Sequence, residues 1–217
     1  PILANVYLHY VLDLWFEKCI KKQLYGEAYL VRFADDFLIM FQYERDAQRV
    51  YEAIIKRMEL FGLELSKEKT RILPFGRKCD TRETFDFLGF THYNSKTRKG
   101  YYTLGHKISR KKKKQFKSNL KKWVKENRNT QFDEFMKALN KKLTGSFNYY
   151  SLSGMIREVR SLWIHSLYVT FKWLNRRSQR KSFKLERFYE IWNDRIIHPY
   201  IHVDIWSGDK VIYNKNV

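Results

Sequence analysis

Tyr29-Leu-Val-Arg-Phe33-Ala34-Asp35-Asp36-Phe37-Leu-Ile-Met-Phe41 is two short apolar runs meeting at a pair of acids. Runs of β-branched and aromatic residues this short read as strands, and the break at Ala34-Asp35-Asp36 reads as a tight turn. The stretch is therefore predicted to be a β-hairpin with two carboxylates at its tip. Neighbouring acids repel, and among apolar side chains they cost free energy unless something positive neutralises them. A hard divalent cation held by oxygen ligands does so. Most Asp-Asp pairs are solvated turn residues, so the pair alone leaves both readings open.

Composition narrows the choice. The chain has 217 residues, 44% of them hydrophobic and 17% aromatic, enough for one large or two small packed domains. Its formal net charge of +20 exceeds what solubility requires and points to a polyanionic partner. No apolar run is as long as a membrane span, and the basic stretches interleave Trp, Tyr and Phe with Lys and Arg, which suits phosphate contact and base stacking rather than lipid. Cys19 and Cys79 are too few and too unpatterned for a disulfide framework or a zinc site, in keeping with a reducing cytoplasm. The sequence opens at Pro1-Ile-Leu-Ala-Asn5 without an initiator Met, inside a structural element, and reads as part of a longer polypeptide.

Working outward, Leu3, Val6, Tyr7, Tyr10, Val11, Leu14 and Trp15 recur at helical spacing, so 1–20 is expected to be a helix whose apolar face is core. After the hairpin, Ala47, Val50, Ile54, Met58 and Phe61 mark a second helix over 45–61, with Gly62 as its stop. Gly62 to Ile72 reads as a turn into a further strand, carrying Lys67, Lys69 and Arg71, which taken alone are an exposed charge run. Phe87-Leu88-Gly89-Phe90 is a strand interrupted by glycine, a bulge or kink. A strand pair, 91–94 and 99–104, is expected to follow.

From Leu104 on, strand patterning gives way to basic helices. Arg110-Lys111-Lys112-Lys113-Lys114 opens a helix with Phe116, Leu120, Trp123 and Val124 as its stripe, and no acid lies between Lys107 and Lys125. A merely solvated face would mix signs. Thr130-x-x-Asp133 suggests a capping box before a helix striped by Phe132, Phe135, Met136, Leu139 and Leu143 and ended by Gly145. A long helix over 154–174 and a short one over 183–192 complete a small bundle. His198 and His202 flank Pro199 outside a helix, which argues against a metal site there.

The aromatic-Ala-Asp-Asp box, Phe33-Ala34-Asp35-Asp36, resembles the palm motif of reverse transcriptases. Leu63, Leu65, Lys69 and Thr70 match the Leu-x-Leu-x-x-x-Lys-Thr element that follows it, and Phe87-Leu88-Gly89-Phe90 the primer grip. Leu143-Thr-Gly145-Ser-Phe147-Asn148-Tyr149-Tyr150 and Lys172-Trp173-Leu174-Asn175-Arg176-Arg177-Ser178-Gln179-Arg180 look like the thumb or maturase region of group II intron proteins. The chain thus resembles the later part of a group II intron reverse transcriptase-maturase.

That resemblance implies an α+β fold. A palm remainder over 1–105, a small antiparallel sheet with helices on one face, would be followed by an all-α thumb over 106–194 and an irregular tail over 195–217. It implies RNA-directed DNA synthesis with Asp35 and Asp36 as catalytic acids holding two Mg2+ ions, with Mn2+ as a substitute. Phe33, Ala34 and Lys69 would meet the nucleotide, and Phe87, Leu88, Gly89 and Phe90 the primer end. Arg110, Lys111, Lys112, Lys113, Lys114, Tyr149, Tyr150, Arg176, Arg177 and Arg180 would contact nucleic acid. The implied partners are an RNA template, a DNA primer, deoxynucleoside triphosphates and, in a maturase, the parent intron RNA. A Gln-Gly motif, the fingers and a third acid would lie in a missing earlier segment, so the stretch alone is expected to be inactive. No DNA-cutting module is evident. The alternative is a non-catalytic RNA-binding maturase or splicing cofactor, and a weaker one a general basic RNA chaperone.

Overall fold

The structure, a computed structural model, describes residues 2–66, 68–79, 81–177 and 182–201. The fold is α+β, with small sheets early in the chain and helices throughout. It divides into two compact units, one of residues 1–88 with 92–105, the other of Gly89–Thr91 with the chain from His106 on.

In the first unit, helix α1 (Ile2–Leu8) continues through π-helical turns at His9–Asp13 and Phe16–Ile20 into a 3-10 turn at Lys21–Gln23. Strands β1 (Ala28–Phe33) and β2 (Asp36–Phe41) form the predicted hairpin, antiparallel, in a register that pairs Ala28 with Phe41 and Phe33 with Asp36. Side chains alternate across it. Ala28, Leu30, Phe37, Ile39 and Phe41 pack with Val11, Leu12 and Phe16 of the first helix and with Val50, Ile54 and Met58 of α2 (Glu44–Leu60). Asp46, buried at the start of α2, accepts from the backbone N–H of Tyr25 and Gly26, both at 3.0 Å, and so anchors the turn leading into β1. Gly62, in the left-handed region at φ 68°, ends α2 as expected.

Two expectations fail in this unit. Leu3, Val6, Tyr7 and Tyr10 are exposed, Leu3 at 84%, and the buried residues of the helix are Val11, Leu12 and Phe16. Arg32 of β1 reaches both Asn5 and Asp13, so the hairpin meets that side of the run, and Leu3, Val6, Tyr7 and Tyr10 fall on another side. Among the described residues of Gly62 to Ile72 there is no strand. The backbone N–H groups of Lys69 and Thr70 both go to the Ser66 carbonyl, and that of Leu63 to Met58, so donors a ladder needs are spent on local turns. Leu63 and Leu65 still pack on the core.

Strands β3 (Thr84–Phe87), β4 (Phe90–Lys96) and β5 (Tyr102–Ile108) form a three-stranded sheet in that order. The glycine expected to make a bulge instead makes a two-residue hairpin turn. Leu88 (φ 50°) and Gly89 (φ 81°) are both left-handed, as the mirror-image turns that suit twisted strands require. β5 runs on past Leu104 to Ile108, whose side chain is buried in the core of the second unit.

That unit is a helical bundle of α3 (Arg110–Asn127), α4 (Phe132–Tyr150), α5 (Ile156–Leu174) and α6 (Leu185–Arg195). Leu120, Val124, Phe135, Leu139, Leu143, Phe147, Leu162, Leu174, Phe188 and Trp192 make its core. Ser109 caps α3, its Oγ accepting from the N–H of Lys112 at 3.4 Å. The capping box at Thr130 is not formed. Gln131 precedes α4 without a side-chain cap, and Asp133 pairs with Arg195, which holds its carboxyl below the usual range. Beyond α6, Ile196 is buried, Ile197 N–H donates to Asn140 Oδ1 at 2.8 Å and Tyr200 OH to Asn148 at 2.9 Å, so the described start of the tail is docked on α4.

Gly145 does not end α4, because Phe147 extends the buried stripe by one more turn. A Cβ at Gly145 would meet no atom within 4 Å. Gly145→Ala is thus expected to stabilise the protein by about 1 kcal/mol, read as a melting temperature a few degrees higher. No change or a fall would mean the helix needs the glycine.

Candidate active site and nucleic-acid surface

The hairpin tip is built from its register. Phe33 and Asp36 sit opposite one another and so project to one face, with Val31, Leu38, Tyr29 and Met40 behind them. This is the face turned away from the core: Tyr29, Val31, Phe33 and Met40 are all exposed, Phe33 at 64%. Ala34 and Asp35 make the two-residue connection, with Ala34 at φ 54°. Asp35 and Asp36 are both exposed. Among the described residues neither is engaged in an ion pair or a side-chain hydrogen bond.

Behind the tip lies a polar network that sequence reasoning missed. Arg32 donates from Nε and Nη2 to the two oxygens of Asp13 at 2.8 and 2.7 Å. Its Nη1 donates to Asn5 Oδ1 at 3.0 Å and to the carbonyl of Ala34 at 2.8 Å. His9 Nδ1 lies 3.3 Å from the same Asp13. The Arg32 guanidinium holds the Asp13 carboxyl below its ordinary range, with His9 adding to the effect against some burial. The contribution of this pair is therefore complete above the ordinary carboxyl value and fades only as pH falls through the lowered one. A lone cation inside the apolar run Tyr29–Phe33 was the available signal.

Two acids alone are a short set for two divalent ions. Among the described residues no group of three His, Cys, Asp or Glu side chains is placed to hold a metal. The donors present do fit magnesium or manganese, being hard carboxylate oxygens, adjacent, exposed and unpaired. Lys69 is exposed in the turn after Ser66, and no ion pair among the described residues ties it to the acids.

In the second unit, Gly89 and Phe90 are brought together with the aromatic end of α4. Phe90 stacks on Tyr149 (5.6 Å between centroids, 23°) and meets Tyr150 edge-on. Ser109 N–H donates to the Gly89 carbonyl at 2.9 Å, and Lys112 and Tyr150 lie against Gly89. Tyr149 keeps 52% of its surface exposed, whereas burial raises the pKa of the Tyr150 phenol. Tyr149 is thus the more accessible of the two rings, and Tyr150 the more buried.

The cations of α3 are not equivalent. Arg110, Lys111, Lys112 and Lys114 are exposed, but Lys113 is turned to Glu158 of α5, Nζ to oxygen 3.0 Å. At the far ends of α3 and α5, Lys125, Arg128 and Arg176 all lie over the ring of Trp173, 5.4 to 5.9 Å from its centre. Lys125 and Arg128 were not singled out in the sequence, since their convergence needs two helices. Arg177 is half-buried, donates to the Thr130 carbonyl at 3.4 Å, and has its pKa lowered by burial. Arg180 lies outside the described residues.

Compared with known families, residues 1–92 match the reverse transcriptase (RNA-dependent DNA polymerase) family. The match takes in α1, the acid hairpin, α2 and the start of β4, and covers fewer than half of the 217 residues. No curated protein matches the chain. Among the described residues no helix is long and apolar enough to cross a membrane.

Proposed function

We propose that this chain carries palm and thumb elements of an RNA-directed DNA polymerase of the group II intron type. The observation that carries the proposal is the exposed, unpaired Asp35-Asp36 pair on a hairpin inside the segment that matches reverse transcriptases. Asp35 and Asp36 would hold divalent ions, Mg2+ by the oxygen donor set. Bound there, such ions lower the pKa of a primer hydroxyl and stabilise leaving pyrophosphate.

The chain's own residues do the rest. Phe33 and Ala34 flank the acids where a nucleotide would lie, and Lys69 would neutralise triphosphate charge. Gly89 and Phe90 with Tyr149 offer backbone and a ring to the primer strand. Lys111, Lys112, Lys114 and Arg110 are placed to neutralise phosphates of a template-primer duplex. With two acids in hand, the 217-residue stretch by itself is expected to extend a primer poorly. The test is magnesium-dependent incorporation of deoxynucleotides on an RNA template by a polypeptide that carries this segment, with Asp35→Asn as the control.

A second reading, an RNA-binding maturase or splicing cofactor, is favoured by the cationic α3 face and the cations gathered over Trp173. RNA-templated synthesis that is absent despite tight RNA binding would select it.

A further inference from the structure

We propose that Arg32 is the positioning residue of the acid tip, holding the Ala34–Asp35 connection in the conformation that lets both carboxylates reach one ion. This deepens the functional reading above and rests on it.

Arg32 sits at the end of β1 on the side that faces the core, where its side chain keeps only 12% of its exposure. A cation so placed is costly unless its donors are used. Here every arm of the guanidinium is used, and not all of them on the neutralising partner. The Nε and Nη2 pair locks onto Asp13, which fixes the plane of the group. Nη1 then points at the Ala34 carbonyl, with Asn5 Oδ1 as its second acceptor.

That carbonyl is half of the peptide unit whose N–H belongs to Asp35. Ala34 adopts φ 54°, a region that side chains with a Cβ seldom occupy. Left alone, the connection has other conformations open to it, and each would aim Asp35 differently from Asp36. Arg32 selects one. The chain of support runs from Asp13 in the first helix through Arg32 to the Ala34 carbonyl and the acids.

The test is Mn2+ binding to the 217-residue chain, read from the electron paramagnetic resonance signal of the free ion, with unfolding followed in parallel. Asp35→Asn should abolish or strongly weaken binding. Were it to leave binding untouched, the metal reading itself would fail, whatever Arg32 does. Arg32→Lys keeps the charge but cannot both fork onto Asp13 and reach Ala34. It should weaken Mn2+ by about tenfold in a protein that still folds. Adding Ala34→Gly, which makes φ > 0 free of steric cost, should restore most of that loss.

Wild-type affinity in Arg32→Lys, with Asp35→Asn inactive, overturns the proposal. So does a weakened Arg32→Lys that Ala34→Gly fails to rescue, since Arg32 would then serve the fold at large. Should Arg32→Lys not fold, Asn5→Ala decides. Asn5 is exposed and shares Nη1, and its loss should weaken Mn2+ about two- to threefold, whereas no change counts against the proposal.

Discussion

Asp35→Asn, in a polypeptide that carries this segment, should lower magnesium-dependent, RNA-templated synthesis by about a thousandfold or more, while leaving RNA affinity unchanged or slightly raised. The asymmetry follows from where the residue sits. Asp35 is an exposed connection residue with no ion pair among the described residues, so replacing its carboxylate by an amide removes a metal donor and leaves the core of Val11, Phe16 and Ile54 intact. Removing one negative charge from a chain of net charge +20 favours binding to a polyanion, if it changes it at all. The measurements are primer extension and RNA binding on the same protein preparation. Synthesis that survives the substitution would remove the acid pair from the reaction and leave the RNA-binding reading standing.

The second large effect is on RNA affinity. Triple replacement of Lys111, Lys112 and Lys114 by Ala should make the plot of log affinity against log salt shallower by about 2 to 3, from a value near 0.7 to 0.9 per phosphate neutralised. Lys113→Ala should not change that slope, because its ammonium is 3.0 Å from Glu158 and is spent holding α3 to α5. Its expected effect is on stability, about 1 kcal/mol from the broken, partly shielded pair. An unaltered slope in the triple variant would move the contact surface to the far end of the bundle, where Lys125, Arg128 and Arg176 gather over Trp173.

What could be seen in the sequence was what local pattern controls. The acid hairpin was legible because two short apolar runs, broken once by polar residues, specify both the strands and the turn. Helices α2, α3 and α5 followed from apolar stripes that turned out to line the cores. The failures share a cause, which is that burial and hydrogen bonding depend on remote partners. Leu3 and Tyr10 have the spacing of core residues but lie on a side of the helix that stays exposed. Gly145 looks like a stop, yet the pull of Phe147 on the same stripe carries the helix through it. Leu88 is left-handed with nothing in its identity to announce it. For the site, Asp35 and Asp36 could be picked out as a pair, but Arg32 finds Asp13 nineteen positions away, and only the folded helix and strand bring them together.

The docked stretch after α6 bears on how this polypeptide can be trimmed or extended. Ile196 fills space beside Trp192, and Ile197 both satisfies Asn140 and accepts the indole N–H of Trp163 at 3.1 Å. Deleting from Ile196 onward would open a hole in the bundle and orphan two buried polar groups at once. Recombinant versions that stop at Arg195 should misfold or precipitate, whereas a shortened version must retain at least Tyr200 to remain well behaved.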